Sequence, residues 1–411
     1  MYCMLNEVSR FFVCLALATT SIFGNADVLR FGFTGPFDGP NAYLGEEVSR
    51  GIELGLKHVN QQRSLAYDVA LVTMNDSYEP LLTADAITKL VENYDVRAML
   101  ASIGTPTAIA TLPILERYSV PLIAPMSGAK ALNNERNKNI VFNIRAGYED
   151  EAFFLVERIV KNLELSADDI AILAQKDSYG ESGVNSLMTA FLHFGIENPD
   201  QILQIRYPRN YPYAEHAAAD ILSSKHMPKV IFIAGTYEVS SQLIELLDDM
   251  EISPLYAAFS ITGVGALAER TKHTDAIILM TQVTPPLTYT HLPLIQEFLS
   301  DNATYSPDNN VSELQFEGYI AARLMGVVLN KFHSDAIPTS KSLAASMKRL
   351  DSFDLEVGVG LSLNRNKQSL ENAIWLRSIH SGNVEDLAPD QLHISEPNSV
   401  ALANLEGHDY D

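Results

Sequence analysis

Thiols are almost missing from this chain: Cys3 and Cys14 are the two cysteines in 411 residues, and both lie in the first 26. If that segment is removed, no disulfide, zinc–thiolate centre or cysteine nucleophile remains. Positive charge is also scarce. Lys and Arg number 29 against 51 Asp and Glu, a net charge of −22, which opposes binding to nucleic acid or to an anionic membrane. The apolar run Phe11–Phe23 is shorter than the roughly 20 residues of a membrane span, and no later run approaches that length. Motifs of chemistry are absent as well. The ten histidines form no H-E-x-x-H, Gly180-Glu181-Ser182-Gly183 is not a nucleophile elbow, and the glycines from Gly32 to Gly39 do not spell G-x-G-x-x-G. These gaps argue against an enzyme and against a resident metal or cofactor.

What is present starts with a leader pattern. A short polar segment with Arg10, the apolar stretch and then Gly24-Asn25-Ala26 follow the order of a secretory signal, with cleavage expected near Ala26. Cys14 follows Phe12-Val13 and lacks the small residues of a lipoprotein site, so a secreted product without a lipid anchor is expected. The remainder, in a chain that is 47% hydrophobic, is long enough for two domains with full cores.

The most informative stretch runs from Ala98 to Leu132. An apolar run, Met99–Ile103, is broken by Gly104-Thr105-Pro106-Thr107. Ala108, Ile109, Leu112 and Leu115 then recur at helical spacing, and Val120–Ala124 ends in Pro125-Met126-Ser127-Gly128. Both polar turns follow the carboxyl ends of neighbouring strands, where parallel sheets place ligands. Their hydroxyls and free backbone N–H groups suit a carboxylate or another acceptor-rich group, although ordinary N-capping uses the same residues. Similar strand–helix units extend on both sides. Val28–Phe33 leads to a helix near Glu46–Asn60, whose Gly51 and Gly55 are expected to pack closely on the sheet. Val69–Thr73 leads to a helix near Pro80–Asn93. After Arg145 the array is repeated through Ile170–Leu173, Ile202–Ile205, Val230–Ala234, Leu255–Ala258 and Ala276–Met280. This predicts an α/β fold with two doubly wound parallel-sheet lobes. Three helices without intervening strands follow Pro285-Pro286, then a closing hairpin of Leu355–Leu363 with Ala373–Ile379. Residues 381–411 read as an acidic, flexible tail.

Gly32-Phe33-Thr34-Gly35-Pro36, Ile103-Gly104-Thr105-Pro106-Thr107, Val120-Pro121-Leu122-Ile123-Ala124-Pro125, Phe142-Asn143-Ile144-Arg145, Asp177-Ser178-Tyr179-Gly180 and Glu317-Gly318-Tyr319-Ile320-Ala321-Ala322-Arg323 together resemble type I periplasmic solute-binding proteins of the branched-chain-amino-acid type. The likeness covers about Val28 to Ile379. Met126-Ser127-Gly128-Ala129, Tyr207-Pro208-Arg209-Asn210 and Thr281-Gln282-Val283 are closer to a subgroup linked to bacterial signalling. The resemblance implies two lobes, 27–144 plus 283–352 and 145–282 plus 353–380, joined by three crossings near Arg145, Gln282 and Asp354. It places ligand contacts at Tyr43, Thr105, Thr107, Ser127, Gly128, Ala129, Tyr179, Tyr237 and Thr262, with no catalytic or metal-binding residue. Asp177 is either an ammonium partner or a helix cap. Two departures matter. Ser260-Ile261-Thr262 stands where amino-acid-binding members carry an acidic residue, and Gly128 stands where threonine is common. A buried ammonium without a partner is costly, so an ordinary α-amino acid is disfavoured, while carboxylate, amide, urea-like and aromatic ligands stay open.

The implied function is capture of a small polar solute in the gap between lobes and its presentation to an ABC importer permease by hinge closure. The alternative is a sensing component that signals to a membrane histidine kinase or diguanylate cyclase. An enzyme using Asp76, Asp177 and Glu181 is the remaining reading; carboxylates at turns more commonly cap helices.

Overall fold

The computed structural model describes residues 27–62, 65–307, 310–332, 336–350, 352–353, 361–362, 374–387, 392–396 and 399–402. The expected signal segment, the crossing near Asp354 and most of the Leu355–Leu363 strand lie outside them.

The first set of units is β1 (Val28–Gly35), α1 (Ala42–Gln61), β2 (Asp68–Asn75), α2 (Pro80–Tyr94), β3 (Val96–Leu100), α3 (Thr105–Tyr118), β4 (Leu122–Ile123) and β5 (Val141–Phe142). Its strands pair in parallel in the order β2-β1-β3-β4-β5. The second set is α4 (Tyr148–Asn162), β6 (Ile170–Gln175), α5 (Ser178–His193), β7 (Leu203–Tyr207), α6 (Glu215–Leu222), β8 (Val230–Ala234), α7 (Tyr237–Asp248), β9 (Leu255–Ala258), α8 (Val264–Arg270) and β10 (Ile277–Gln282). These strands repeat the same winding, β7-β6-β8-β9-β10. Every residue of β6 and β8 is buried, as expected for parallel strands covered by helices on both faces.

The chain then returns through α9 (Pro293–Tyr305), α10 (Glu313–Leu329) and α11 (Ser340–Lys348), with no strands between them. Two short strands, β11 (Ser352–Phe353) and β12 (Leu361–Ser362), pair with each other. The expected closing hairpin is therefore replaced. β13 (Trp375–His380) runs antiparallel to β10 and hairpins instead with β14 (Asn383–Leu387) through Ser381-Gly382. The second sheet thus continues into the start of the expected tail, because β13 leaves an edge that Asn383–Leu387 can pair. Further on, β15 (Leu392–Glu396) and β16 (Ser399–Leu402) form a separate ribbon.

Two local corrections bear on the site. The strand expected at Met99–Ile103 ends at Leu100, because Ala101 turns the chain at φ 46°. Ile103 then bridges Met126, which sets the two polar turns side by side. Gly51 and Gly55 face α10 rather than the sheet. A Cβ on Gly51 would lie 1.8 Å from the Gln315 carbonyl oxygen, and one on Gly55 would lie 2.6 Å from the Ala322 Cβ. Glycine lets these helices approach with backbone against backbone, which no side chain permits.

The loop after β2 is also unusual. Ser77 and Tyr78 both have left-handed backbone, φ 47° and 58°, which is costly for side-chain-bearing residues. Asp76 holds the turn: its carboxylate accepts from the Tyr78 N–H at 2.9 Å and from the Thr83 hydroxyl at 3.1 Å. Full burial pushes the Asp76 carboxyl up to about 6.

Gly51→Ala is expected to lower unfolding stability by about 2 kcal/mol, the overpacking cost less the helix-propensity gain of alanine; urea melts within about 0.5 kcal/mol of wild type would contradict this contact. The raised Asp76 value predicts stability that is complete below about pH 4 and lost as pH climbs through 6, about 3 kcal/mol in all. Asp76→Asn keeps an acceptor for Tyr78 and gives Thr83 a donor. Its urea midpoint should therefore gain on wild type as pH rises from about 4 to about 6 and keep that lead above it, whereas parallel pH profiles for the two proteins would exclude a titrating Asp76.

Candidate functional site

The carboxyl ends of the two sheets face one another, and most of the residues picked from the sequence lie where they meet. From the first sheet, the Thr105 and Ser127 hydroxyls share a hydrogen bond of 2.7 Å, and Thr105 lies 3.4 Å from the Tyr148 hydroxyl. Tyr148, the first residue of α4, spans the gap. Its ring stacks on Phe259 with centroids 5.7 Å apart and tilts against Tyr179 at 5.4 Å. Tyr179 in turn donates to the Gly235 carbonyl at 3.2 Å, and the Thr262 hydroxyl donates to the same oxygen at 2.9 Å. Toward the far rim, Tyr43 meets Tyr237 edge to face at 5.9 Å, with the Arg270 guanidinium 5.3 Å from the Tyr237 ring centre.

Other sequence-predicted residues behave differently. The Thr107 hydroxyl turns back onto its own helix start, donating toward the Ile103 and Gly104 carbonyls, so it does not join the Thr105–Ser127 pair. Asp177 caps α5 through the Tyr179 and Gly180 N–H groups and also accepts from Gln175 and Arg209. Gly128 is explained by space, since a Cβ there would lie 2.7 Å from the Tyr148 nitrogen. The Ala129 N–H donates to the Ser127 hydroxyl oxygen at 3.3 Å.

Several members of the site were missed. Tyr78 is fully inserted, and its ring sits against Gly104, whose φ of 95° and missing Cβ make room for it. Burial raises the pKa values of Tyr78, Tyr148, Tyr179 and Tyr207, so all four stay protonated donors near neutral pH. Nothing in the helical or strand periodicity marks Tyr78 or Tyr148. An aromatic residue just after a strand or a crossing is the signal that was available. Also missed was a clasp across the rim. Arg209 donates to Glu79 at 2.8 Å and to Asp177 at 3.0 Å. Asn210, itself left-handed at φ 59°, donates to the Ser77 carbonyl at 2.9 Å and to Glu79 at 2.7 Å, and accepts from Asn41 at 3.0 Å.

At the first crossing, Arg145 is buried between the two units. It pairs with Glu317 of α10 and donates to the Ser260 hydroxyl. Burial alone lowers the Arg145 pKa, but the Glu317 and Glu151 carboxylates raise it overall, so the guanidinium stays charged. Beside the second polar turn lies a cavity of about 200 Å³, lined by Gly128, Ala129 and Tyr148 on one side and by Ser182, Asn185 and Ser186 of α5 on the other.

A family model described as periplasmic binding protein matches residues 28–383. Leu/Ile/Val-binding protein homolog 7 of Brucella abortus is 22% identical over 398 residues, covering 93% of this chain and 96% of that protein. A possible leucine/isoleucine/valine-binding protein from Rhodopirellula baltica superposes with a TM-score of 0.82 at 29% identity, covering 89% of this chain and 98% of that one. A solute-binding protein from R. palustris, solved with benzoate, shares the fold with a TM-score of 0.73 at 18% identity, covering 90% and 97%. Among the described residues no helix is long and apolar enough to cross a membrane. The chain belongs to the periplasmic binding protein family, extracytoplasmic ligand-binding proteins, and shares the type I fold of its Leu/Ile/Val-binding relatives.

Proposed function

We propose that this chain is a solute-binding protein of an ABC importer, secreted with removal of residues 1–26, that holds a small polar ligand between two lobes and is read by its permease when closed. The lobes are 27–144 plus 283–352 and 145–282 plus 353–380, with the last boundary moved outward by the β13–β14 hairpin. The observation that carries this reading is the meeting of Thr105 and Ser127 with Tyr148 and Tyr179 at the facing ends of two sheets. Thr105, Ser127, Gly128, Ala129 and Tyr179 form its ligand-facing end, Tyr43 and Tyr237 its far rim, and Thr262 supports Gly235. Thr107 is a positioning residue for the α3 start. No group of three or more His, Cys, Asp and Glu side chains that could hold a metal ion is found among the described residues.

Closure follows from the same geometry. A ligand that touches both units favours the closed arrangement by its contacts in that state alone. The clasp residues Arg209 and Asn210 belong to the motif that resembles the signalling-linked subgroup. A membrane sensor that reads the closed rim is therefore the second reading.

In a thermal-shift screen of amino acids, amides, aromatic acids, purines and polyamines, the cognate class should stabilise the protein by about 2.7 kcal/mol at 100 times its Kd. If no compound shifts melting and the purified protein carries no ligand, the receptor reading fails. Arg209→Ala should weaken that ligand about tenfold, about 1.4 kcal/mol, and raise the radius of gyration in small-angle scattering. Unchanged affinity and an unchanged scattering profile would show that the clasp plays no part in closure.

A further inference from the structure

The loop after β2 does more than border the gap: Ser77, Tyr78 and Glu79, consecutive in the chain, each reach the second unit. The Ser77 carbonyl accepts from Asn210 at 2.9 Å, and Glu79 accepts from Asn210 at 2.7 Å and from Arg209 at 2.8 Å. Between these two, the Tyr78 hydroxyl meets the Gln175 side chain and lies in the electrostatic field of Asp177, Tyr148 and Tyr207. Gln175 ends β6, is fully buried and is itself fixed, donating to Asp177 at 2.7 Å. On its own unit the Tyr78 ring rests on Gly104, where a Cβ would lie 2.4 Å from its Cε2.

The turn that presents this side chain is held from behind. Asp76 accepts from the Tyr78 N–H and the Thr83 hydroxyl, while the Asn75 side-chain oxygen accepts from the Ser77 N–H at 3.0 Å and from the Phe37 N–H at 2.9 Å. All of those groups belong to the first unit, so the loop's shape is set there and only its tip depends on the second. With residues of both units around it, Tyr78 is 2% exposed. Parting the units would uncover the side of the ring that faces Gln175 and return its hydroxyl to water.

We propose that Ser77-Tyr78-Glu79 is a strap, anchored by Tyr78, that draws the two units together before a ligand is bound. This rests on the two-lobe solute-binding reading and adds to it a positioning residue that sets the balance between open and closed forms. A ligand shifts such a balance only by its differential affinity for the two forms, so closure supplied by the strap is closure the ligand need not supply. Weakening the strap lowers the closed fraction, and with it the apparent affinity for every ligand by one common factor. A residue that touched the solute would instead change affinities unequally.

The test joins molecular shape to the chemistry of the tyrosine, on the dialysed mature chain. Tyr78→Ala should raise the radius of gyration in small-angle scattering and weaken every compound found by thermal shift by a common factor of about ten or more. Tyr78→Phe, which keeps the ring and loses the hydroxyl, should fall between it and wild type. In wild type, nitration by tetranitromethane, mapped by peptide mass, should spare Tyr78 at least about tenfold relative to Tyr211 and Tyr213, which are 42% and 53% exposed. Arg209→Ala leaves Tyr78 in place and should lower that protection several-fold. The proposal is overturned if Tyr78→Ala scatters like wild type, if its loss of affinity differs from ligand to ligand, or if Arg209→Ala leaves Tyr78 as protected as before. Should Tyr78→Ala fail to fold, the nitration comparison decides alone. The scattering and nitration measurements need no ligand, so their failure leaves the receptor reading standing. That reading falls only if the whole screen and the purified protein both lack a ligand.

Discussion

A buried cation, the Arg145 guanidinium, joins the parts of this molecule that must stay in register. It sits where the chain first leaves one sheet for the other, with Glu317 from the returning helix α10 on one side and Ser260 from the second sheet on the other. Burying one member of such a pair without the other costs about 3–5 kcal/mol, so the crossing, the returning helix and the loop before α8 are fixed together. α10 in turn lies backbone to backbone on α1 through Gly51 and Gly318, where a Cβ on Gly318 would lie 2.3 Å from the Val48 carbonyl oxygen. Together these two contacts place the facing sheet ends.

The residues that line the gap are held by geometry that costs energy locally. Ser77, Tyr78 and Asn210 adopt left-handed backbone, and Asp76 is a buried carboxyl. Left-handed backbone also occurs away from the rim, at buried Ala101 and Ala124 for example, but these rim residues sit beside contacts between the units. Asp76 shapes the turn that inserts Tyr78, and Asn210 reaches the Ser77 carbonyl and Glu79.

Much of this architecture was legible in the order of residues. The parallel winding follows from apolar runs such as Val230–Ala234 alternating with stripes such as Val48, Ile52, Leu56 and Val59. The two polar turns were visible because Gly104-Thr105-Pro106-Thr107 and Pro125-Met126-Ser127-Gly128 interrupt that alternation at matching points. Less legible was where individual hydroxyls point. Thr105 and Thr107 are two residues apart on the same helix start, yet the first bonds across to Ser127 and the second bonds back to its own turn. Hydropathy is the same for both, and only the direction of the Cα–Cβ bond separates them. The β13–β14 hairpin was misplaced for a similar reason, since the acidic composition after Ser381 hides the free edge of β13 that Asn383–Leu387 pairs with.

The amino-acid sequence by itself determined the fold class, the doubling of the strand–helix array, the placement of the polar turns at strand ends and the family, because periodicity and turn chemistry are local properties carried by neighbouring residues. The tertiary structure alone decided which charges are cancelled. Arg209 and Glu79 are 130 residues apart, and Arg145 and Glu317 are 172 apart. Pairing over such distances is set by where the sheets bring the loops, and no spacing along the chain encodes it.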